Sequence, residues 1–263
     1  TGPYPGLYSI YADKKKHRLY AVVPTSQMTR PFLLATSFAG GTTYAGWQWN
    51  DYLLYWKPMG KQLVLMEKNV RYVPGTSSAE VREVVQRTYT DRVYMTVPIL
   101  SKGGGGYVID FGALLAGNAS RFFGYQGRGN ASLAEFSFKA YKFNVEARVT
   151  MPGSGGQYIT LHYSIADVTS LSTTGYKPRL ADDRVGYFLT AVKDFSQTKD
   201  PNRFVRYINR WNLQKRDPKL KMSPPKKPIV FYIEKTVPVR YRRYVREGIE
   251  MWNQAFAKCG FIN

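Results

Sequence analysis

The chain has 263 residues, 44% hydrophobic, 15% aromatic and only 21% charged, which excludes a disordered charged tail and supplies enough apolar material for one large or two smaller domains. Its net charge is +20, and residues 201–263 hold fifteen Lys/Arg against four Asp/Glu, an excess that favours an anionic neighbour (nucleic acid, lipopolysaccharide, acidic glycan or acidic protein) or is simply a solvated basic surface. A single cysteine, Cys259, excludes an intrachain disulfide and a thiolate metal cluster, and no run of about 18 apolar residues offers a transmembrane helix.

Twenty-one Tyr and fourteen Phe favour β-structure, while 23 Gly and 15 Pro supply turns. The chain opens on Thr1 rather than Met, which reads as processing or truncation. Leu7–Tyr11 and Leu19–Val23 read as strands around the charged turn Asp13-Lys14-Lys15-Lys16-His17-Arg18, and Pro31–Phe38 is a third apolar run. Asp51–Trp56 and Gln62–Glu67 read as a hairpin turning at Pro58-Met59-Gly60. Residues 78–88 fit either a short helix or the start of a strand. Ser101–Gly106, with four consecutive glycines, reads as a loop. Tyr107–Asp110 reads as a strand that enters a short turn or helix at Phe111–Ala116, and the Gly- and Asn-rich residues 117–130 read as loop. Phe136–Met151 and Tyr158–Ile165 read as two strands joined through Pro152-Gly153-Ser154-Gly155-Gly156, followed by strand candidates at Val185–Val192 and Phe204–Leu213.

Near Lys215 the character changes. Residues 1–215 form the β-rich part, 216–227 a Pro/Lys linker, and 228–263 a strand (Pro228–Ile233) followed by a long helix. Thr236 can cap that helix, Pro238 suits its first turn and Gly260 its end. Tyr241, Tyr244, Val245, Gly248, Ile249, Trp252, Ala255, Phe256 and Cys259 recur at three- and four-residue steps. Burial is therefore expected for Tyr244, Ile249, Trp252 and Phe256, and for Cys259 as a core residue. The fold class predicted is mainly β, antiparallel and hairpin-rich, with a C-terminal strand and long helix, α+β overall. A strand and helix with nothing after them to complete a sheet read as a domain cut near its beginning.

Chemistry is sparse. A helical zinc site needs two His four residues apart with a Glu base, but His17 and His162 are separated by most of the chain. Gly153-Ser154-Gly155-Gly156 does not match a nucleophile elbow, and Gly124–Gly129 and the four-glycine run match no phosphate-loop pattern. Asp182, Asp183 and Asp194 fit loop solvation or pairing with Arg179 or Arg184 better than a carboxylate site. Arg203, Arg206 and Arg210 alternate with Phe204, Tyr207 and Trp211, a pattern that serves a nucleic-acid face or, more plainly, an amphipathic strand. With Arg240, Arg242 and Arg243 they are the candidate contacts to an anionic partner.

Three stretches carry a family resemblance: Pro178–Phe188, with its Arg-Leu-Ala-Asp-Asp-Arg core; Arg206-Tyr207-Ile208-Asn209-Arg210-Trp211; and Lys227–Glu234 followed by Tyr244–Phe256. Together they resemble secreted or periplasmic bacterial zinc metalloproteases of the Met-turn zincin type, in which a β-rich region precedes the catalytic domain. Gly6–Pro24 and Tyr107–Leu115 resemble that upstream region more loosely. The resemblance implies that residues 228–258 open a zincin domain whose zinc motif and Met-turn lie beyond this chain. It thus implies no catalytic or metal residue here, and no cofactor in this chain, zinc being expected in the catalytic domain. It further implies secretion or a periplasmic location, and a partner (the rest of the protease or another chain) covering the C-terminal helix. The competing expectation is a basic β-rich binding or assembly module with an anionic partner and no protease role.

Overall fold

Period-two burial organises most of the chain. The computed structural model describes residues 1–13, 15–169, 174–196 and 204–262, and Arg203 therefore lies outside the described residues. In chain order the elements are β1 (Ser9–Asp13), β2 (Arg18–Pro24), β3 (Phe32–Gly40), β4 (Gln48–Met59), β5 (Gln62–Glu67), β6 (Tyr72–Val73), α1 (Ala79–Thr88), β7 (Arg92–Pro98), β8 (Ser101–Gly103), β9 (Gly106–Asp110), α2 (Phe111–Gly117), α3 (Ala119–Phe123), β10 (Glu135–Ala140), β11 (Asn144–Pro152), β12 (Tyr158–Asp167), β13 (Leu189–Asp194), β14 (Phe204–Ile208), α4 (Val239–Glu250) and α5 (Trp252–Lys258). The protein is mainly antiparallel β with a C-terminal bent helix.

The chain divides into two compact units, one of residues 1–175 with 191–205, the other of 176–190 with 206–263. Segments that the sequence places in the β-rich part thus group with the C-terminal helix. In the first unit, a seven-stranded antiparallel sheet runs β10-β11-β12-β3-β4-β5-β7 and a four-stranded sheet runs β1-β2-β9-β8. One hydrophobic core joins them. Val145, Val149, Leu161 and Tyr163 come from every second position of β11 and β12, and Ile10, Ala21 and Ile109 come from the smaller sheet. Such alternation commits one pleated face to the core, and a one-residue slip of register would expose it all. Helix α2 packs on β2 and β11, and α3 packs on β4. Their Phe111, Leu115, Phe122 and Phe123 are almost fully buried. Trp56, 1% exposed, donates its indole N–H to Tyr8 Oη at 2.9 Å, so the polar atoms of two buried aromatics satisfy each other.

Several local expectations are corrected. The four-glycine run is a tight hairpin between β8 and β9, with Gly104 and Gly105 at φ +60° and +77°, values that L-residues rarely adopt. Residues 117–130 include α3, because burying Phe122 and Phe123 outweighs their Gly- and Asn-rich surroundings. Ser78 accepts from the Val81 N–H and so starts α1 as a helix, which resolves the ambiguity at 78–88. Phe136–Met151 is two strands, β10 and β11, turning through residues 141–143.

The larger corrections are in the second unit. Pro228–Ile233 is not a strand among the described residues, and none of its backbone groups joins a ladder. A strand exists only when another pairs with it, whatever its composition. Residues 216–227 fold back on themselves: the Arg216 N–H donates to Pro224 O at 2.8 Å, the Lys226 N–H to Gln214 O at 2.8 Å, and Ser223 is fully buried. The helix forms, but Pro238 rather than Thr236 occupies its N-cap, and Met251 separates α4 from α5. Its apolar face is not buried. Tyr244 is 65% and Trp252 68% exposed, Cys259 is exposed too, and Ile249 and Phe256 are only half-buried.

Candidate functional site

The second unit carries the most conspicuous open apolar surface. Ile249, Trp252 and Phe256 line a cleft of about 440 Å³ with Trp211, Phe231 and Ile229. A neighbouring cleft of about 260 Å³ is lined by Leu213, Pro228, Phe261 and Ile262, and shares Phe256 and Ile229 with the first. The apolar run 228–233 beside the helix exposes Val230, Phe231 and Tyr232. Local sequence explains the pattern. The three- and four-residue steps gather the rings of α4 and α5 on one side, and the β-branched and aromatic run at 228–233 presents more rings beside them. Solitary exposed rings are ordinary, whereas here several exposed rings stand together along one cleft.

The arginines expected to contact an anionic partner have mostly local employment. Arg242 donates from Nε to Val237 O at 2.9 Å and from its other guanidinium nitrogen to Lys235 O at 2.7 Å, tying down the turn before α4. Arg243 pairs with Glu247 at 2.7 Å, one helical turn on. Arg240 lies over the Tyr241 ring at 4.7 Å. Arg210 donates to Lys177 O at 2.6 Å and lies over the Tyr176 ring at 4.8 Å. Arg206 is exposed on β14. Asp182 accepts bonds of 2.8 and 2.5 Å from the Arg184 guanidinium, and hydrogen bonding by Arg184 keeps its carboxyl below the usual range. Asp194 accepts from the Ser196 N–H and hydroxyl in a tight local turn. Both carboxylates therefore follow the plainer sequence reading.

One constellation escaped sequence reasoning. On the face of the large sheet away from the core, His162 of β12 lies between Ser37 of β3 and Glu146 of β11. Its Nε2 is 2.7 Å from Glu146 Oε2 and its Nδ1 is 3.1 Å from Ser37 Oγ. With Nε2–H donating to the carboxylate, Nδ1 is left to accept the serine hydroxyl. Glu146 Oε1 also accepts from Ser164 Oγ at 2.8 Å and Asn144 Nδ2 at 2.7 Å. Hydroxyl, imidazole and carboxylate stand in the order of a nucleophile, its base and an orienting acid. Each link also crosses from one strand to the next, so the group braces β3, β12 and β11. Each residue's outward position is legible from strand alternation, but Ser37 and His162 are 125 residues apart, and only the strand order brings them together.

A zinc site does not fit these residues. Glu146 and His162 provide two ligands where three are needed, and among the described residues no three His, Cys, Asp or Glu side chains converge. No helix among them is long and apolar enough to cross a membrane. No curated protein and no solved structure matches the chain. Residues 46–216, from β4 through β14 and well over half of the chain, match the family described as Domain of unknown function (DUF5117), and the chain belongs to that family.

Proposed function

We propose that the chain is a non-catalytic scaffold portion of a zinc-dependent metalloprotease of the Met-turn zincin type, with zinc ligands supplied by residues outside it. The observation that carries this reading is the open cleft around Trp252, Phe256 and Phe231, beside an apolar run without ladder partners. Leaving a large apolar side chain in water forgoes roughly 1.5–3 kcal/mol. The apolar run 228–233 has the composition to pair with a strand, and the helix face needs a surface to pack on. An apolar run without a ladder and a helix in that condition suit the opening of a larger sheet domain. The residue pattern of 178–188, 206–211 and 227–256 supports the same reading by its resemblance to that protease type. In this role the β-rich unit supports or covers a catalytic domain, the remainder of the protease or another chain covers the helix, and the protein works outside the cytoplasm, secreted or periplasmic.

The test is to co-express the chain with the polypeptide encoded after Asn263 in its gene. The pair should co-purify, the tryptophan emission should shift to shorter wavelength as Trp211 and Trp252 are covered, and chelator-sensitive casein cleavage should appear only in the pair. A downstream sequence without H-E-x-x-H sinks the reading. The competing role, a basic module that contacts nucleic acid, glycan or acidic protein without a protease, is favoured by the +20 charge. Steeply salt-dependent polyanion binding that weakens on Arg240→Ala and Arg243→Ala would favour it.

A further inference from the structure

A separate cleft of about 400 Å³ lies in the β-rich unit, lined by Glu67, Lys68, Asn69, Arg71, Tyr72, Thr88, Tyr89, Thr90 and Arg92 among others. It is rigidly built. Asn69 donates to Tyr72 O (3.1 Å) and Tyr89 O (2.8 Å) and accepts from the Arg71 and Tyr72 N–H groups, while its own N–H donates to Asp91. The Tyr72 ring stacks on Tyr89, 4.2 Å between centroids and 6° from parallel, and Tyr89 meets Phe195 at 5.4 Å. The Lys193 N–H donates to Arg71 O at 2.7 Å, fixing the loop from the other side.

Three cations line this cleft against one carboxylate. Arg92 is paired with Glu67, and Lys68 is 3.9 Å from Asp91. The Arg71 guanidinium has no hydrogen-bond or ion-pair partner among the described residues, and neither do the hydroxyls of Thr88 and Thr90. A free guanidinium over a rigid floor suits a planar carboxylate, which it can take by two parallel bonds. The C-terminal end of α1, at Thr88 and Tyr89, selects further. Its negative dipole end repels a dianionic phosphate, and last-turn carbonyls other than Tyr89 O, which Asn69 already occupies, suit hydroxyl donors. Tyr72, 38% exposed, offers an aromatic surface for the C–H face of a ring.

We propose that this cleft binds an acidic saccharide, a hydroxyl-rich ring with a single carboxylate, through Arg71 for the carboxylate, Tyr72 for the ring and the end of α1 for the hydroxyls. The site is independent of the protease reading, and it gives the β-rich unit a binding role of its own.

Titration calorimetry of the full chain at fixed ionic strength tests it, with trigalacturonate as the probe against the neutral trigalactoside, AMP and inorganic phosphate. Trigalacturonate should bind and the neutral sugar should not. Arg71→Ala, at an exposed position, should weaken binding about tenfold or more with an unchanged melting temperature. Arg71→Lys should recover part of it, and Arg240→Ala/Arg243→Ala should leave it intact. Equal binding of the neutral sugar, tighter binding of AMP or phosphate, indifference to Arg71→Ala, equal loss in the Arg240/Arg243 variant, or no trigalacturonate binding at about 1 mM would each overturn the proposal.

Discussion

Strand β12 and helix α4 are both amphipathic, yet they end differently. In β12 every second residue from Ile159 to Ile165 is buried, whereas α4 buries none of its residues. The strand lies between β11 and β3, with two helices and a second sheet closing the core beneath it. The helix has rings at the right period, but Tyr244 and Trp252 stay exposed and Ile249 and Phe256 are only half-buried. An apolar period states which side of an element wants burial. Whether that side is buried depends on a second surface, which the element does not encode.

Two tryptophans break the comparison most sharply. Trp56→Ala removes a fully buried ring and leaves the Tyr8 hydroxyl without its donor, so it should cost about 3–5 kcal/mol in urea unfolding. Trp252→Ala, on an exposed ring, should stay within about 0.5 kcal/mol in the isolated chain. Similar losses from both would place Trp252 in a buried site and undo the contrast. Tyr163→Phe is the next largest. Burial pushes the Tyr163 hydroxyl well above its ordinary pKa, and it donates to Leu115 O at 2.8 Å, tying β12 to α2. Its loss leaves a buried carbonyl short of a donor, at about 1–3 kcal/mol.

The outward face should respond less. Glu146→Gln weakens the brace to His162 and should lower stability by about 0.5–1.5 kcal/mol, measured by urea unfolding. An effect as large as that of Trp56→Ala would mean that the polar face, not the core, sets the stability of the sheet. The smallest effect concerns Asp167, at the end of β12. Burial opposes its charge, but hydrogen bonds from the Thr169 N–H and hydroxyl, with Arg30 at 3.7 Å, hold its carboxyl below the usual range. A depressed carboxylate contributes stability above its unfolded pKa of about 4, and that contribution is lost as pH falls through the folded value. Asp167→Asn should therefore melt lower than the parent at pH 7, with the gap closing below about pH 4. A gap that persists at low pH would assign the effect to packing instead.

The sequence by itself determined the strand-rich character, the β4–β5 hairpin, the strand cores at β11 and β12 and the C-terminal helix. These rest on residue type and period, which act over a few neighbours. It placed His162 and Ser164 in one strand, Tyr158–Ile165, but not as partners of Glu146. Only the tertiary structure decided the rest. Ser37 meets His162 because β3 lies beside β12, and Asn69 closes a cleft because α1 and β13 come back to it. Gly- and Asn-rich residues 117–130 became partly helical because the core needed Phe122 and Phe123. Pro228–Ile233 has the composition of a strand and remains outside any ladder. The physical reason is common to all of these: a hydrogen-bond ladder, a buried ring and a polar brace each need a second surface, and residue type and period record only the demand for it.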